Sequence, residues 1–146
     1  MIKKTKQDIK KGLVVQEQQN ILNDLDRFTG TEQYFKASVL YDLNLTDGIN
    51  YLRNELNCFW LIDIVGSIQN LNKIKENYSF IIHKIKVNED KSFIFKSYKD
   101  YNSDLTEQEN DLKYLLYEQK SEYTDFKLNE FEFYQVGNVL LLKSEY

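Results

Sequence analysis

The sequence predicts an α+β domain in which N-terminal helices and a buried Trp-containing helix pack on one face of an antiparallel sheet. Three observations carry this. The run from Cys58 to Ile68 is the densest apolar stretch and holds the only Trp and the only Cys. At helical spacing Trp60, Ile64 and Ile68 stack on one face, with Leu61, Val65 and Leu71 beside them and Leu52 and Leu56 continuing the stripe. From Tyr78 onward the apolar period falls from about 3.6 to 2 residues, the spacing of a strand. Helical patterns come first and strand patterns last, which is the α+β order.

Residues 1–27 read as a polar helix with a weak stripe of Ile9, Leu13, Ile21, Leu22 and Leu25. Its first sixteen residues are expected to be a flexible basic segment, leaving 17–146 as a single domain. The Gly and two Thr of Phe28-Thr29-Gly30-Thr31-Glu32 signal a turn. Gln33 to Leu45 is ambiguous between strand and helix and reads rather as a short strand or extended segment. Thr46 or Asp47 then caps a helix, since either side chain can accept from the free N–H groups of a first turn. Asn57 breaks that helix before the apolar one, which is expected to run to about Ile74.

Ile81, His83, Ile85 and Val87 alternate with Ile82, Lys84 and Lys86. After a turn at Asn88–Lys91, Phe93 and Phe95 share a side, so the pair reads as a hairpin. Lys99 to Asp111 reads as an acidic loop, and Leu112 to Tyr123 as a strand or a short amphipathic helix. Phe131, Phe133 and Gln135 alternate, Gly137-Asn138 turns, and Val139 to Lys143 returns as a last strand.

The chain of 146 residues is the size of one domain and can bury a core. A lone Cys cannot form an intramolecular disulfide, and the lysines of the N-terminus lead into no h-region, so a reducing, cytoplasmic setting is expected. No run of about 18 apolar residues exists, which argues against a membrane span. A net charge of -4 disfavours a general nucleic-acid binder. The charge is uneven: residues 1–12 carry five Lys against one Asp, while 99–132 carry ten acidic residues against four basic.

Side chains suited to catalysis are few. His83 is the only histidine, so no His-based zinc site can form within one chain. Amid Ile81, Ile82 and Ile85 it reads as a strand histidine paired across the sheet, with a general base as the alternative. Cys58 and His83 could form a nucleophile and base, but nothing near Cys58 reads as an activating helix N-terminus or a cationic neighbour, so it reads as a buried, inert thiol. Asp63 lies between Ile62 and Ile64, either on an exposed edge or buried and paired. The structural reading is a hydrogen bond to a nearby Thr, Tyr or backbone N–H; the functional one is an acid of shifted pKa. Asp47, Asp63 and Asp125 could converge on a divalent cation, but spacing does not show it. Isolated Gly48 and Gly66 form no phosphate-cradling loop, and no cofactor or metal is implied.

What stands out instead is an acidic, Tyr-rich stretch: Tyr98, Asp100, Tyr101, Asp104, Glu107, Glu109, Asp111, Tyr117, Glu118 and Glu122. A surface that competes for the Lys and Arg of a groove built for phosphate needs carboxylates to steer and pair, and tyrosines as anchors. The bland reading is a solvated loop beside an ordinary core.

Five segments follow in order along the chain: Phe28-Thr29-Gly30-Thr31-Glu32-Gln33-Tyr34, Thr46-Asp47-Gly48 with Tyr51-Leu52, Trp60-Leu61-Ile62-Asp63, Tyr123-Thr124-Asp125-Phe126, and Leu141-Leu142-Lys143-Ser144-Glu145-Tyr146. Together they resemble a family of small bacterial proteins of unknown function carried on plasmids and other mobile elements. Lys143 stands where that pattern usually has Pro, Asp42 to Leu45 is an insertion, and Lys36-Ala37 replace a stretch that often carries His. The resemblance implies no reaction. Its setting is similar to that of inhibitors of host defence, including small anti-CRISPR proteins, by analogy of size and charge.

The leading expectation is therefore a non-enzymatic inhibitor that binds a host defence nuclease, such as an RNA-guided type VI effector, through the acidic Tyr-rich surface. No membrane and no direct sequence-specific nucleic-acid contact is expected. One alternative is a small hydrolase or nucleotide-processing enzyme using Asp63 and His83. Another is a mobile-element accessory that docks on DNA through its basic N-terminus.

Overall fold

The computed structural model describes residues 5–146. The first helix, α1, spans Lys6–Asp26, with Thr5 as its N-cap. Thr5 Oγ1 accepts from the Asp8 N–H at 3.1 Å and Asp8 returns the bond to the Thr5 N–H, a reciprocal cap that opens the helix. Of the segment expected to be flexible and basic, residues 1–4 lie outside the described ones and 6–16 form the leading turns of α1, all exposed. Only Leu25 is fully buried in this helix, with Ile21 and Leu22 resting against the core.

Two short strands follow, β1 (Phe35–Lys36) and β2 (Asn44–Leu45), within the segment expected to be extended. Thr46 caps α2 (Asp47–Glu55), accepting from the Ile49 N–H at 3.3 Å. Asn57 breaks the chain with a φ of 49°, in the left-handed region that Asn tolerates. The apolar helix α3 spans Phe59–Ser67, and its Leu61, Ile62, Val65 and Gly66 are buried while Trp60 packs against Phe93 and Phe126.

α3 does not reach Ile74. The Ser67 hydroxyl donates to the Ile64 carbonyl at 2.7 Å and Gln69 Nε2 to the Val65 carbonyl at 2.9 Å. Side chains thus engage the carbonyls that a further turn would need, and the chain restarts as α4, Asn72–Glu76.

The remaining strands are β3 (Ile81–Val87), β4 (Phe93–Tyr98), β5 (Leu115–Ser121), β6 (Glu130–Val136) and β7 (Val139–Leu142). They form one sheet in the order β1-β2-β7-β6-β3-β4-β5, antiparallel throughout except where β2 meets β7. The inner face presents Ile81, Ile85, Phe93, Phe95, Phe133, Leu140 and Leu142 to Ile49, Leu52, Leu61 and Val65 of the helices. Period-2 alternation puts Lys84, Lys86, Lys96, Glu130 and Glu132 on the other face.

Lys99 to Asp111 is not all loop. Thr106 caps a helix, α5 (Glu107–Tyr114), through a reciprocal pair with Glu109. The buried Asn110 holds the preceding turn: it donates to the carbonyls of Asn102 and Thr106 and accepts from the Asn102 N–H. The stretch Leu112–Tyr123 is therefore both alternatives in succession, helix and then strand.

Candidate functional site

The ten acidic and tyrosyl residues divide into groups. The first surrounds Lys96, which β4 places beside α5. Lys96 Nζ lies 2.7 Å from Asp111 Oδ2 and 3.1 Å from Glu107 Oε1. Tyr98 donates to Asp111 Oδ1 at 2.6 Å, and Tyr101 meets the Tyr98 ring edge-on at 4.9 Å between centroids. Lys84 Nζ stands 3.8 Å above the Tyr101 ring.

Burial works against the charge on Lys96, but its bonds to Asp111 and Glu107 outweigh that and raise its pKa. Burial likewise pushes the Asp111 carboxyl up, and the bonds from Lys96 and Tyr98 more than reverse it. Burial, then the bond to Asp111, holds the Tyr98 hydroxyl protonated well above its usual range. Tyr98 is 1% exposed, so it supports the surface from beneath and is not the contact anchor that the sequence suggests.

The second group is exposed: Asp100, Asp104 and Glu109 sit on the turn before α5 and on its first turns. None has an ion-pair partner among the described residues. The third group departs from this surface. Tyr117 pairs with Ser97 on the core side and packs against Phe95, so it too is no surface anchor. Glu118 lies on the outer face of the sheet, opposite Lys96. Glu122 follows the far end of β5, roughly 20 Å of strand from α5.

One residue of this surface is missing from the sequence reading. Leu112 is 89% exposed on α5, one turn after Gln108 and Glu109. The capping box of Thr106 and Glu109 was the signal that could have located it, because a helix starting there turns Leu112 away from the sheet. Beside α5 a groove of about 570 Å³ runs along the outer face, lined by Lys84, Lys96, Tyr101, Glu107, Glu132 and Lys143.

The residues weighed for catalysis are not brought together. His83 is fully buried, stacked on Phe95 with centroids 5.7 Å apart. Ser97 Oγ lies 2.7 Å from Nδ1 and Gln135 Oε1 2.9 Å from Nε2, an arrangement satisfied by a neutral ring donating from Nε2. Burial pulls its pKa down to about 4, with the Gln135 bond acting weakly in the other direction. Asp63 is exposed on α3 and accepts from the Tyr41 hydroxyl at 2.6 Å. It lines an open groove with Tyr41, Gln69, Asn70 and Lys75 that His83 does not reach.

Contrary to the expectation from sequence, Cys58 stands at a helix N-terminus, as the N-cap of α3, with Arg53 near enough to favour the thiolate. The thiol is buried, however, and that burial outweighs the cation and pushes it up to about 12. Asp47 is occupied by the Glu32 N–H at 2.8 Å. Among the described residues no three His, Cys, Asp or Glu side chains lie close enough to hold a metal ion, and no helix is long and apolar enough to cross a membrane.

The segments that carry the family resemblance pack on one another. The Thr31 hydroxyl accepts from the Asp47 N–H at 2.9 Å, the Glu145 carboxylate from Thr46 and Gly48, and Trp60 meets Phe126 edge-on. Comparison with curated proteins and with solved structures returns no match. Residues 19–146 match the profile of a family of unknown function, DUF6876. The matched span takes in every strand and helices α2 to α5, leaving out only residues 1–18. The chain belongs to the DUF6876 family of unknown function.

Proposed function

We propose that this protein acts by binding another protein through the surface built on α5. The observation that carries the reading is Leu112, an apolar side chain held in the open on α5 one turn after Glu109, on a segment whose exposed Asp100, Asp104 and Glu109 form no ion pair among the described residues. An exposed aliphatic anchor with acidic neighbours suits a partner that offers a small apolar pocket edged by Lys and Arg. The knot of Lys96, Asp111 and Tyr98 fixes the helix beneath it, which lowers the ordering cost of binding.

Basic residues around an apolar floor are typical of grooves that hold nucleic acid, so the target class is a nucleic-acid enzyme. A nuclease of host defence fits the mobile-element setting of the resemblance, and an RNA-guided type VI effector is its most specific case. The test is cleavage by such an effector with and without this protein, in a purified assay and in plasmid interference. Inhibition that is lost in Leu112→Asp, that salt weakens in the wild type, and that is weaker but less salt-sensitive in Glu109→Lys supports the reading. Full cleavage at saturating protein, with no complex by gel filtration, removes it.

A second reading has its own observation. Lys6, Lys10 and Lys11 all project from exposed turns of α1, the part of the chain outside the family match. Docking on DNA through these turns predicts binding that falls steeply with salt and is lost on replacing the three lysines by Gln. Binding that ignores salt or survives those changes excludes it.

A further inference from the structure

The strand that closes the sheet offers a different surface. Among the described residues β5 pairs only with β4, so its other edge carries backbone N–H and C=O groups with no described strand beside them. Edges of this kind are commonly blunted by Pro, by a bulge, by a covering helix or loop, or by charged side chains, and charge blocks pairing only where the second strand sets like charge opposite. The chain has no Pro. The one irregularity against β4 lies at Ser97/Tyr98, at the start of β5, and leaves 117–121 regular. Its two charges, Glu118 and Lys120, are exposed on the outer face and only loosely paired within the chain, at 3.9 Å.

We infer that β5 pairs antiparallel with β5 of a second copy about a two-fold axis at Gln119, joining the two sheets into one. Residues directly opposite in such a pair share a face, so the axis must pass through a residue position. At Gln119 it sets Glu118 against Lys120 of the second copy and Lys120 against its Glu118, with Tyr117 facing Ser121. An axis at Glu118 or at Lys120 sets like charges against each other, which is destabilising. An axis at Tyr117 leaves the two charges opposite Leu116 and Tyr114, with no counter-charge. An axis at Ser121 sets Lys120 against Glu122, but β5 ends at Ser121 and Glu122 lies outside it, so only a fragment of the strand would pair. Charge and strand length together therefore select the register at Gln119, and the edge is complementary to itself. The inference uses β5 and is independent of the partner proposed for α5.

A strand pairing of this length buries less than the roughly 1,600 Å² of a standard interface, so the dimer is weak and concentration-dependent. Sedimentation velocity of the full chain, over a series reaching the millimolar range, reads it directly. Glu118→Lys and Lys120→Glu each raise the dimer Kd by about tenfold or more, because each sets like charges opposite. Lys120 lies opposite Ile94 within the chain, so its reversal acts free of the Lys96 that neighbours Glu118. The exchanged variant E118K/K120E regains the wild-type Kd, and mixing the two single variants yields a heterodimer. Circular dichroism and melting confirm that each variant is folded. A protein that stays monomeric throughout the series overturns the inference. So does a dimer indifferent to both reversals, or a folded exchanged variant that fails to dimerise.

Discussion

Glu145 and Gly48 meet at the N-terminus of α2, where the Gly48 N–H donates to Glu145 Oε2 at 3.1 Å. The other carboxylate oxygen accepts from the Thr46 hydroxyl at 2.6 Å and from the Leu142 N–H at 2.9 Å. A carboxylate there satisfies free helix donors and faces the positive end of the helix dipole. Removing it with Glu145→Ala is expected to cost about 1–2 kcal/mol, read as a lower urea midpoint at unchanged slope. A Cβ at position 48 would collide with Leu142 Cδ1 and the Glu145 carboxylate, so Gly48→Ala costs about 1–3 kcal/mol although Ala favours helix. Unchanged midpoints in both variants would show that the joint is incidental.

The contact of Trp60 with Phe126, 5.9 Å between centroids, ties α3 to the segment after β5. Phe126 is nearly fully buried, and Phe126→Ala is expected to destabilise by about 3–5 kcal/mol. Trp60 is the only Trp, so its emission reports on the cluster it forms with Phe126 and Phe93 and on no other part of the chain. A red shift in the folded variant, with a lower melting temperature, is the expected result.

His83 makes stability depend on pH. Its pKa is pulled from 6.5 in the free side chain to about 4 in the fold, so the unfolded chain takes up the proton first as pH falls. The contribution is complete above about pH 6.5 and is lost as pH falls from there to about 4, up to about 3 kcal/mol in all. Because it is the only histidine, a single imidazole resonance follows the titration by NMR. A midpoint near 6.5 in the folded protein would contradict the burial described here.

Cys58 is expected to resist alkylation while the protein is folded, since burial both hides the thiol and pushes its pKa up to about 12. Labelling by iodoacetamide at pH 8 should track the unfolded fraction across a urea series. Rapid labelling without denaturant would restore it as a candidate nucleophile.

Much of the fold is legible along the chain because it rests on local rules. Thr46 opens α2 and Asn57 ends it as their side chains dictate, and the period-2 runs around His83, Phe95 and Phe133 become adjacent inner-face strands. The length of α3 was not legible, because its end depends on Ser67 and Gln69 turning back to carbonyls of the preceding turn. The candidate site was half legible. Composition marks the acidic stretch, but only the helix capped by Thr106 decides that Leu112 faces water and Asp111 faces Lys96.

The sequence by itself determined the α+β class, the caps and strand alternation, and the scarcity of reactive side chains, all set by neighbours within a few residues. Only the tertiary structure decided which charges cancel. Lys96 and Asp111 are fifteen positions apart, and burial with hydrogen bonding at that distance cannot be read from spacing. The same holds for Glu145 and Gly48, whose meeting needs the whole sheet in place before the last residues can close the helix.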